Sequence, residues 1–326
     1  MTVYLVRRTV EMALVLLLAS ALIFGVLHLS PGGPFDELAF EKGRVSQAYI
    51  ENLNRLIGLD RPIHVRYVDW LGRVVQGDLG TSWRVTQGQP VTELIQSRLG
   101  STLVLMGTAF VVSLVLATFV GTLSALKQYS LWDYLVTALS FFGLSMPVFW
   151  FGLLLVIVFS LQFREWGLPF YLPVGSMYTV GKEGDVLDLL WHLILPVTLL
   201  SSFLVARWSR FIRSSLLDVL GQDYIRTARA KGLRERTVVL RHGLRNALIP
   251  VITVVTLELP ALFGGATVTE AIFAWPGMGH LLYTAILASD WPVAMGILMV
   301  SAALIVSANL LADLLYALID PRIRYN

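Results

Sequence analysis

Few side chains in this 326-residue chain could do covalent chemistry, and their spacing argues against most of it. The five histidines, His28, His64, His192, His242 and His280, are scattered. No H-E-x-x-H pair is present to hold zinc, and no G-x-S-x-G surrounds a serine nucleophile. An intramembrane hydrolase, which needs a nucleophile and a base held together, is therefore set aside. The absence of cysteine excludes disulfides, thiolate metal sites and cysteine nucleophiles. The one Gly-Lys pair, Gly181-Lys182, precedes Glu183 and lacks the upstream glycine of a phosphate-binding loop, so the chain cannot hydrolyse ATP by itself. Met146, Met177, Met278 and the tryptophans read as packing and interfacial anchors, not cofactor ligands.

Charge chemistry is what remains. From Arg207 to Arg245 there are ten Lys or Arg against Asp218, Asp223 and Glu235, a net charge of +7 between two long apolar stretches. A short basic loop between membrane spans marks the cytoplasmic side. The loop also has the pattern of a folded object. Asp223 is expected to cap a helix over Tyr224–Lys231, with Arg229 and Lys231 in the last turn and Gly232 where a left-handed C-cap is wanted. Tyr224, Ala228 and Leu233 fall near one face, and small Ala228, Ala230 and Gly232 leave room for a partner surface. A second helical piece, Glu235–Asn246, leads back into the membrane at Pro250. Glu258 is a different feature, a single carboxylate inside an apolar span, where insertion costs roughly 2.5–3.5 kcal/mol. It either faces a water-filled pathway, is protonated, or hydrogen-bonds between helices near the Pro260 break. An ion-coupled secondary transporter using Glu258 is thus the rival class, although one carboxylate makes no relay and no inverted repeat is evident.

The elements that carry these groups are membrane helices. The chain is 56% hydrophobic and 14% charged, where soluble domains run near a quarter charged. A pI of about 9.2 does not argue for nucleic acid, because the basic residues cluster at membrane edges. The spacing predicts an all-α polytopic protein with six spans. An N-terminal helix occupies 1–30, its apolar run Thr9–Leu29 too long for a signal peptide. An external polar segment, 31–97, follows, with helical periodicity in Gln47–Ile57 and Ile63–Val75. The core, 98–318, carries spans at about 101–126, 134–162, 189–206, 246–269 and 291–312, with the basic loop 207–245 between the fourth and fifth. A tail, 319–326, ends the chain. Pro147, Pro196 and Pro260 are helix-break candidates in these spans, and with Glu258 they are candidates for the pathway. A short helix, His280–Ala288, is expected to dip toward the membrane and return at Asp290. With both termini inside, 15 Lys and Arg are cytoplasmic, and the external segments carry a net charge of −4.

RTARAKG followed by RHGLRNALIP resembles the cytoplasmic signature loop of ABC-importer permeases, in the dipeptide, oligopeptide and nickel branch. Arg226-Thr227-Ala228 stands where the wider superfamily has Glu-Ala-Ala, Gly232 keeps its place, and Pro250 closes the pattern later than in the superfamily at large. GDLGTS at 77–82 with Pro90-Val91, the segment Glu270–Gly279 (EAIFAWPGMG) with Asp290-Trp291-Pro292, and the terminal Asp320-Pro321-Arg322 are similar to that family too. The resemblance implies a type I importer transmembrane fold in a bacterial or archaeal plasma membrane. It implies a second, homologous permease, two ATP-binding subunits that hold the ATP and Mg, an external substrate-binding protein, and no cofactor or metal in this chain. It implies that Asp223, Tyr224, Arg226, Thr227, Ala228, Arg229, Ala230, Lys231, Gly232, Arg241, His242, Arg245 and Asn246 couple to an ATPase. Glu270, Phe273, Pro276, Gly277, Gly279 and Asp290 form the family's external motif.

The branch carries di- and oligopeptides, and some members carry nickel, glutathione or oligosaccharides. A permease for bare nickel should show imidazoles or clustered carboxylates in its spans. Only His28 and His192 lie in or at the ends of spans, on different helices, and neither is read as having a carboxylate one turn away. A pathway lined by Gly, Ser, Thr and aliphatic residues suits varied peptide side chains better. A topology reporter fused after Arg236 should read cytoplasmic, and fusions within 31–97 or 175–188 should read external. An external signal after Arg236 would overturn the map.

Overall fold

In the computed structural model, residues 2–29, 55, 58–264 and 266–319 are described. Among them every regular element is a helix, and Thr81 and Pro90 form an isolated antiparallel bridge. Six helices are long and apolar enough to cross a membrane, within Arg7–Leu29, Val91–Leu126, Val148–Glu165, Val186–Leu220, Glu235–Gly264 and Trp291–Ala312. The residues fall into two compact units, one up to Gly100 together with those from Gly277 onward, the other Ser101–Pro276. The helical periodicity expected at Gln47–Ile57, the Ser30–Pro34 stop, and the Asp320-Pro321-Arg322 tail lie outside the described residues, apart from Arg55.

The first unit holds α1 (Thr2–Leu29), α2 (Ile63–Val75), the first turns of α3 (Val91–Leu126), α10 (Met278–Leu287) and α11 (Trp291–Ile319). The spacing of Tyr67, Trp70, Leu71 and Val74 gives α2 one apolar face, which packs on Phe24 of α1 and Met295 of α11. The Tyr67 and Ser20 hydroxyls meet at 2.9 Å, pairing two polar groups that lipid could not satisfy. Val91, Leu94 and Ile95 open α3 against Met278, Leu281 and Ala285 of α10 and Val293, Ala294 and Ile297 of α11. A Cβ on Gly296 would come within 2.6 Å of Val91 Cγ1, so only glycine permits this approach. The second span therefore begins ten residues earlier than expected, at Val91, because its amphipathic first turns find an apolar floor there.

Asp290, fully buried between α10 and α11, anchors the segment ahead of α3. Ser82 Oγ donates to its Oδ2 at 2.6 Å, and the backbone N–H groups of Trp83, Arg84 and Val85 donate to the same oxygen at 3.1, 2.9 and 2.9 Å. One carboxylate thus accepts from three consecutive amides of the turn. Ser289, at φ +54°, sets the turn that aims it.

The second unit holds the rest of α3, then α4 (Leu131–Ser145), α5 (Val148–Val156), α6 (Val186–Leu220), α7 (Asp223–Ala230), α8 (Arg245–Glu258) and α9 (Thr267–Ile272). The expected third span, 134–162, is a broken one. α4 starts on a Ser130 cap, whose hydroxyl accepts the Asp133 N–H at 3.3 Å, and it stops where Met146 turns extended before Pro147. α5 continues through a π segment, Ile157–Gln162, and a last turn, Phe163–Glu165. A residue before proline is pushed from helical to extended backbone, so the expected kink is a full break. Pro196 behaves otherwise: α6 continues through it, so it is not a break. α6 also runs 14 residues past the expected end of the fourth span at 206, so the first third of the expected loop is a continuation of that helix. The expected fifth span, 246–269, ends at Glu258, turns at Pro260 and resumes only as Ala261–Gly264 and α9.

Asp290→Ala should leave the amides of Trp83–Val85 without an acceptor. Limited trypsinolysis of the intact protein should then cut after Arg84 about tenfold faster, the effect of roughly 1.4 kcal/mol of local opening. An unchanged cleavage rate would show that the carboxylate does not hold this segment.

Candidate coupling surface and inter-helix ion pairs

α7 follows from a short amphipathic pattern. Ile225 and Ala228 are buried against Val238 and Leu220, while Asp223, Tyr224, Arg226, Thr227, Arg229, Ala230, Lys231 and Gly232 face outward. Asp223 is the first helical residue and not the cap. Gln222 precedes it in extended conformation without a side-chain cap, and Asp223 instead lies 3.5 Å from Arg226. A carboxylate in the first turn still suits the helix dipole. The buried face also differs from the expected one, since Tyr224 and Leu233 are 44% and 40% exposed. Gly232 closes the helix at φ +76°, its N–H donating to Arg229 O at 2.9 Å, as the left-handed cap requires.

The return leg begins as one turn, Glu235–Thr237, and passes through a π segment, Val238–Leu244, into α8. Arg229 grips Glu235 with two bonds, Nη2 to Oε1 at 2.7 Å and Nε to Oε2 at 3.2 Å, tying the end of α7 to this leg. Asn246 donates to the His242 carbonyl at 2.9 Å and to the Tyr224 hydroxyl at 3.2 Å, tying its start. Gly243 is the residue that pattern reading missed. A Cβ there would lie 3.3 Å from Leu220 Cδ2 and 3.4 Å from Leu216 Cδ1, so the glycine of RHGLRN lets the π segment lie close against α6. Arg241, Arg245 and Asn246 are exposed and His242 is half-buried, so the cationic surface continues onto this leg.

Two ion pairs fasten α6 to its neighbours. Arg213 donates through Nε to Asp133 Oδ1 at 2.9 Å and through Nη2 to Oδ2 at 2.8 Å, while Ser124 and the Tyr129 N–H complete the shell of the buried carboxylate. Asp133 lies outside the six spans, and the Arg213 guanidinium beside it holds its carboxyl down at about 2. Glu258, at the end of α8, meets Arg207 Nη1 at 2.8 Å through Oε1 and accepts from Trp208 Nε1 at 2.9 Å through Oε2. Arg207 reads as a loop cation in the sequence, yet the continuation of α6 delivers it to Glu258. Paired this way, Glu258 is not a lone carboxylate, which removes the main ground for ion coupling.

The expected external motif is internally packed. Glu270 is fully buried and accepts from Thr102 Oγ1 at 2.9 Å. Phe273 is buried against α5 and α6, and its carbonyl accepts the Ser176 N–H at 2.8 Å. Trp275 Nε1 donates to the Ser101 carbonyl at 2.8 Å. Gly277 precedes α10 in extended conformation, Gly279 is buried in its first turn, and Pro276 closes the second unit. His192 is not alone as expected: Asp188, one turn earlier, lies 3.5 Å from its Nδ1. One imidazole and one carboxylate fall short of a metal site, and no group of three potential ligands occurs among the described residues.

Six membrane-length helices with a folded cationic surface between the fourth and fifth define a polytopic membrane protein. The chain belongs to the binding-protein-dependent transport system inner membrane component family, whose model matches residues 117–325, and the corresponding N-terminal model matches residues 1–106. It is 44% identical over 325 residues to the oligopeptide transport system permease protein AppB of Bacillus subtilis, covering 100% of each chain. A putative peptide permease protein of Brucella suis is 42% identical, with 95% of each chain covered. The dipeptide transport system permease protein DppB of Escherichia coli K12 is 38% identical, with 93% of each chain covered. A solved amino acid ABC transporter aligns over 71% of this chain and 95% of its own at 15% identity and a TM-score of 0.49, too low a likeness to assign a fold by itself.

Replacing Asp133 or Arg213 by alanine should each cost about 1–3 kcal/mol, because each strands a charge-assisted partner. The double variant should lose less than the sum in thermal unfolding of the detergent-solubilised protein. Strict additivity would show that the pair is not coupled.

Proposed function

We propose that this chain forms half of the translocation pathway of an ATP-driven importer for di- or oligopeptides. The observation that carries the reading is likeness along the entire chain, not in one motif, to permeases named for peptides. The chain is a non-catalytic subunit. It works beside a second, homologous permease, over two ATP-binding subunits that supply ATP and Mg, and takes cargo from an external binding protein. Both termini and α7 lie on the cytoplasmic side, where a surface built from Asp223, Tyr224, Arg226, Thr227, Ala230, Lys231 and Gly232, continued by Arg241, Arg245 and Asn246, seats in an ATPase groove.

The physical mechanism follows from rigidity. Ile225, Ala228 and Val238 pack α7 on the end of α6. The Arg229–Glu235 and Asn246–Tyr224 bonds fix it to the return leg. A displacement of α7 by the closing ATPases therefore moves α6 and α8 with it and shifts the spans between two accessibilities. Selectivity resides in the external binding protein.

In proteoliposomes holding the complete complex, binding protein loaded with short peptides should stimulate ATP hydrolysis, and sugars or nickel chelates should not. Stimulation by a non-peptide ligand alone would end the peptide reading and leave the importer standing. Gly232→Leu puts a side chain at φ +76°, a strain of about 1–2 kcal/mol. It should lower transport and stimulated hydrolysis together without affecting membrane insertion. Normal transport by that variant would remove the coupling role from α7.

A further inference from the structure

The face of α6 that bears Arg207 and Arg210 presents a physical problem. Arg207 and Arg210 are exposed in this chain, Arg207 with 61% of its side chain accessible although it is ion-paired to Glu258. Their depth follows from contacts inside the same unit. Gly121 of α3 abuts Ser209, so closely that a Cβ would come within 2.5 Å of the Ser209 carbonyl. Ser209 lies between the two arginines in sequence, and α3 carries no charge from Ser101 to Leu126, five residues past Gly121. Arg210 also lies over the Phe141 ring, 5.2 Å from its centroid, ten residues into the apolar helix α4. The arginines are thus level with uncharged, lipid-compatible stretches of their neighbours.

An exposed guanidinium costs about 2.5–3.5 kcal/mol at the centre of a bilayer, so intramembrane charges face water-filled cavities or polar partners. The charge count decides what this face of α6 favours. Arg213 is matched by Asp133 and Arg207 by Glu258. Arg210 has a ring beneath it and the Ala206 carbonyl at 3.3 Å, and no carboxylate among the described residues lies within ion-pair range of it. One positive charge is left over, three residues from an ion pair whose guanidinium still has open donor sites.

We propose that Arg210, with Arg207 held in place by Glu258, lines the translocation pathway and binds the C-terminal carboxylate of the peptide in transit. This rests on the peptide reading above and replaces the uncharged lining expected from the sequence. A guanidinium presents paired N–H donors that match a carboxylate, and every unmodified peptide carries one whatever its side chains. The subsite therefore holds varied cargo by the group all of it shares. Glu258 limits the affinity: by occupying Arg207 it leaves a net charge of +1, enough to attract the carboxylate and too little to trap it.

The absence of native cysteine makes the test direct. Arg210→Cys is placed in the complete complex, with Phe119→Cys on the exposed apolar face of α3 as reference. A membrane-impermeant charged methanethiosulfonate should modify position 210 and leave position 119 unmodified. Wild-type complex should take up a free-acid tripeptide better than its C-terminal amide, and that preference should be lost in Arg210→Gln. Uptake of the free-acid peptide should fall about tenfold in Arg210→Gln and by less in Arg210→Lys, which keeps the charge but loses the paired donors. An unreactive position 210, or an acid-over-amide preference unchanged in Arg210→Gln, would overturn the subsite. Peptide-stimulated ATP hydrolysis measured on wild-type complex in the same preparation separates the two readings. Its presence with an unreactive position 210 refutes only the subsite. Stimulation by a non-peptide ligand alone refutes the peptide reading itself.

Discussion

α6 runs 35 residues without interruption, through Pro196, and carries Arg207, Arg210 and Arg213 to the level of its neighbours' apolar surfaces. Hydrocarbon offers no water to satisfy a charge or an open amide, so each such group must find a partner in protein or in a wet cavity. That constraint accounts for the Arg207–Glu258 pair, and charge pairing alone for that of Arg213 with Asp133, which lies outside the spans. It also accounts for the lengths of the adjoining helices: α8 must extend to Glu258 to meet Arg207, and α4 must open with Asp133 to meet Arg213. The residues that look least at home in a membrane protein set the register of the helices around α6.

The same accounting works at the other polar features. Asp290 is a buried carboxylate satisfied by amides of the segment ahead of α3, and Glu270 is one satisfied in part by Thr102. Both belong to the stretch that resembles the family's external motif, and in this chain both serve to hold polypeptide segments together. The aromatic members of that stretch, Phe273 and Trp275, are buried and hydrogen-bonded through backbone or ring N–H, which makes it a packed structural joint. α7 differs in kind. Its buried face is only Ile225 and Ala228, and the rest of its surface is charged, small or hydroxylated. An element so lightly buried and so firmly tied at both ends is suited to being gripped and moved as a unit.

Much of this was legible in the chain as text. Apolar runs near 20 residues can only be spans, because a backbone in lipid must close its own hydrogen bonds, and six of them follow from length and charge alone. Gly232 after a short cationic helix reads as a left-handed cap for a steric reason that needs no tertiary information, and its φ of +76° agrees. The spacing of Tyr67, Trp70 and Val74 likewise fixes α2 and its buried side. The order of RTARAKG, RHGLRNALIP and EAIFAWPGMG identifies the family with which the full-length relatives agree.

Tertiary structure decided what depends on a partner distant in sequence. Nothing local tells that Pro196 is tolerated while Pro147 breaks its helix, since the outcome turns on whether packing can accommodate the freed carbonyl. Asp223 is a plausible cap by type, but the chain enters α7 one residue earlier than a cap there would need. Gly243 looks like any loop glycine until Leu216 and Leu220 are seen to close on it. Arg207 and Glu258 are 51 positions apart, and the sequence assigned one to a cytoplasmic loop and the other to the interior of a span. Local pattern reports the cost of burying each charge. Only the packing of α6 against α8 shows that the two costs offset each other, because an electrostatic partner is a matter of distance in space.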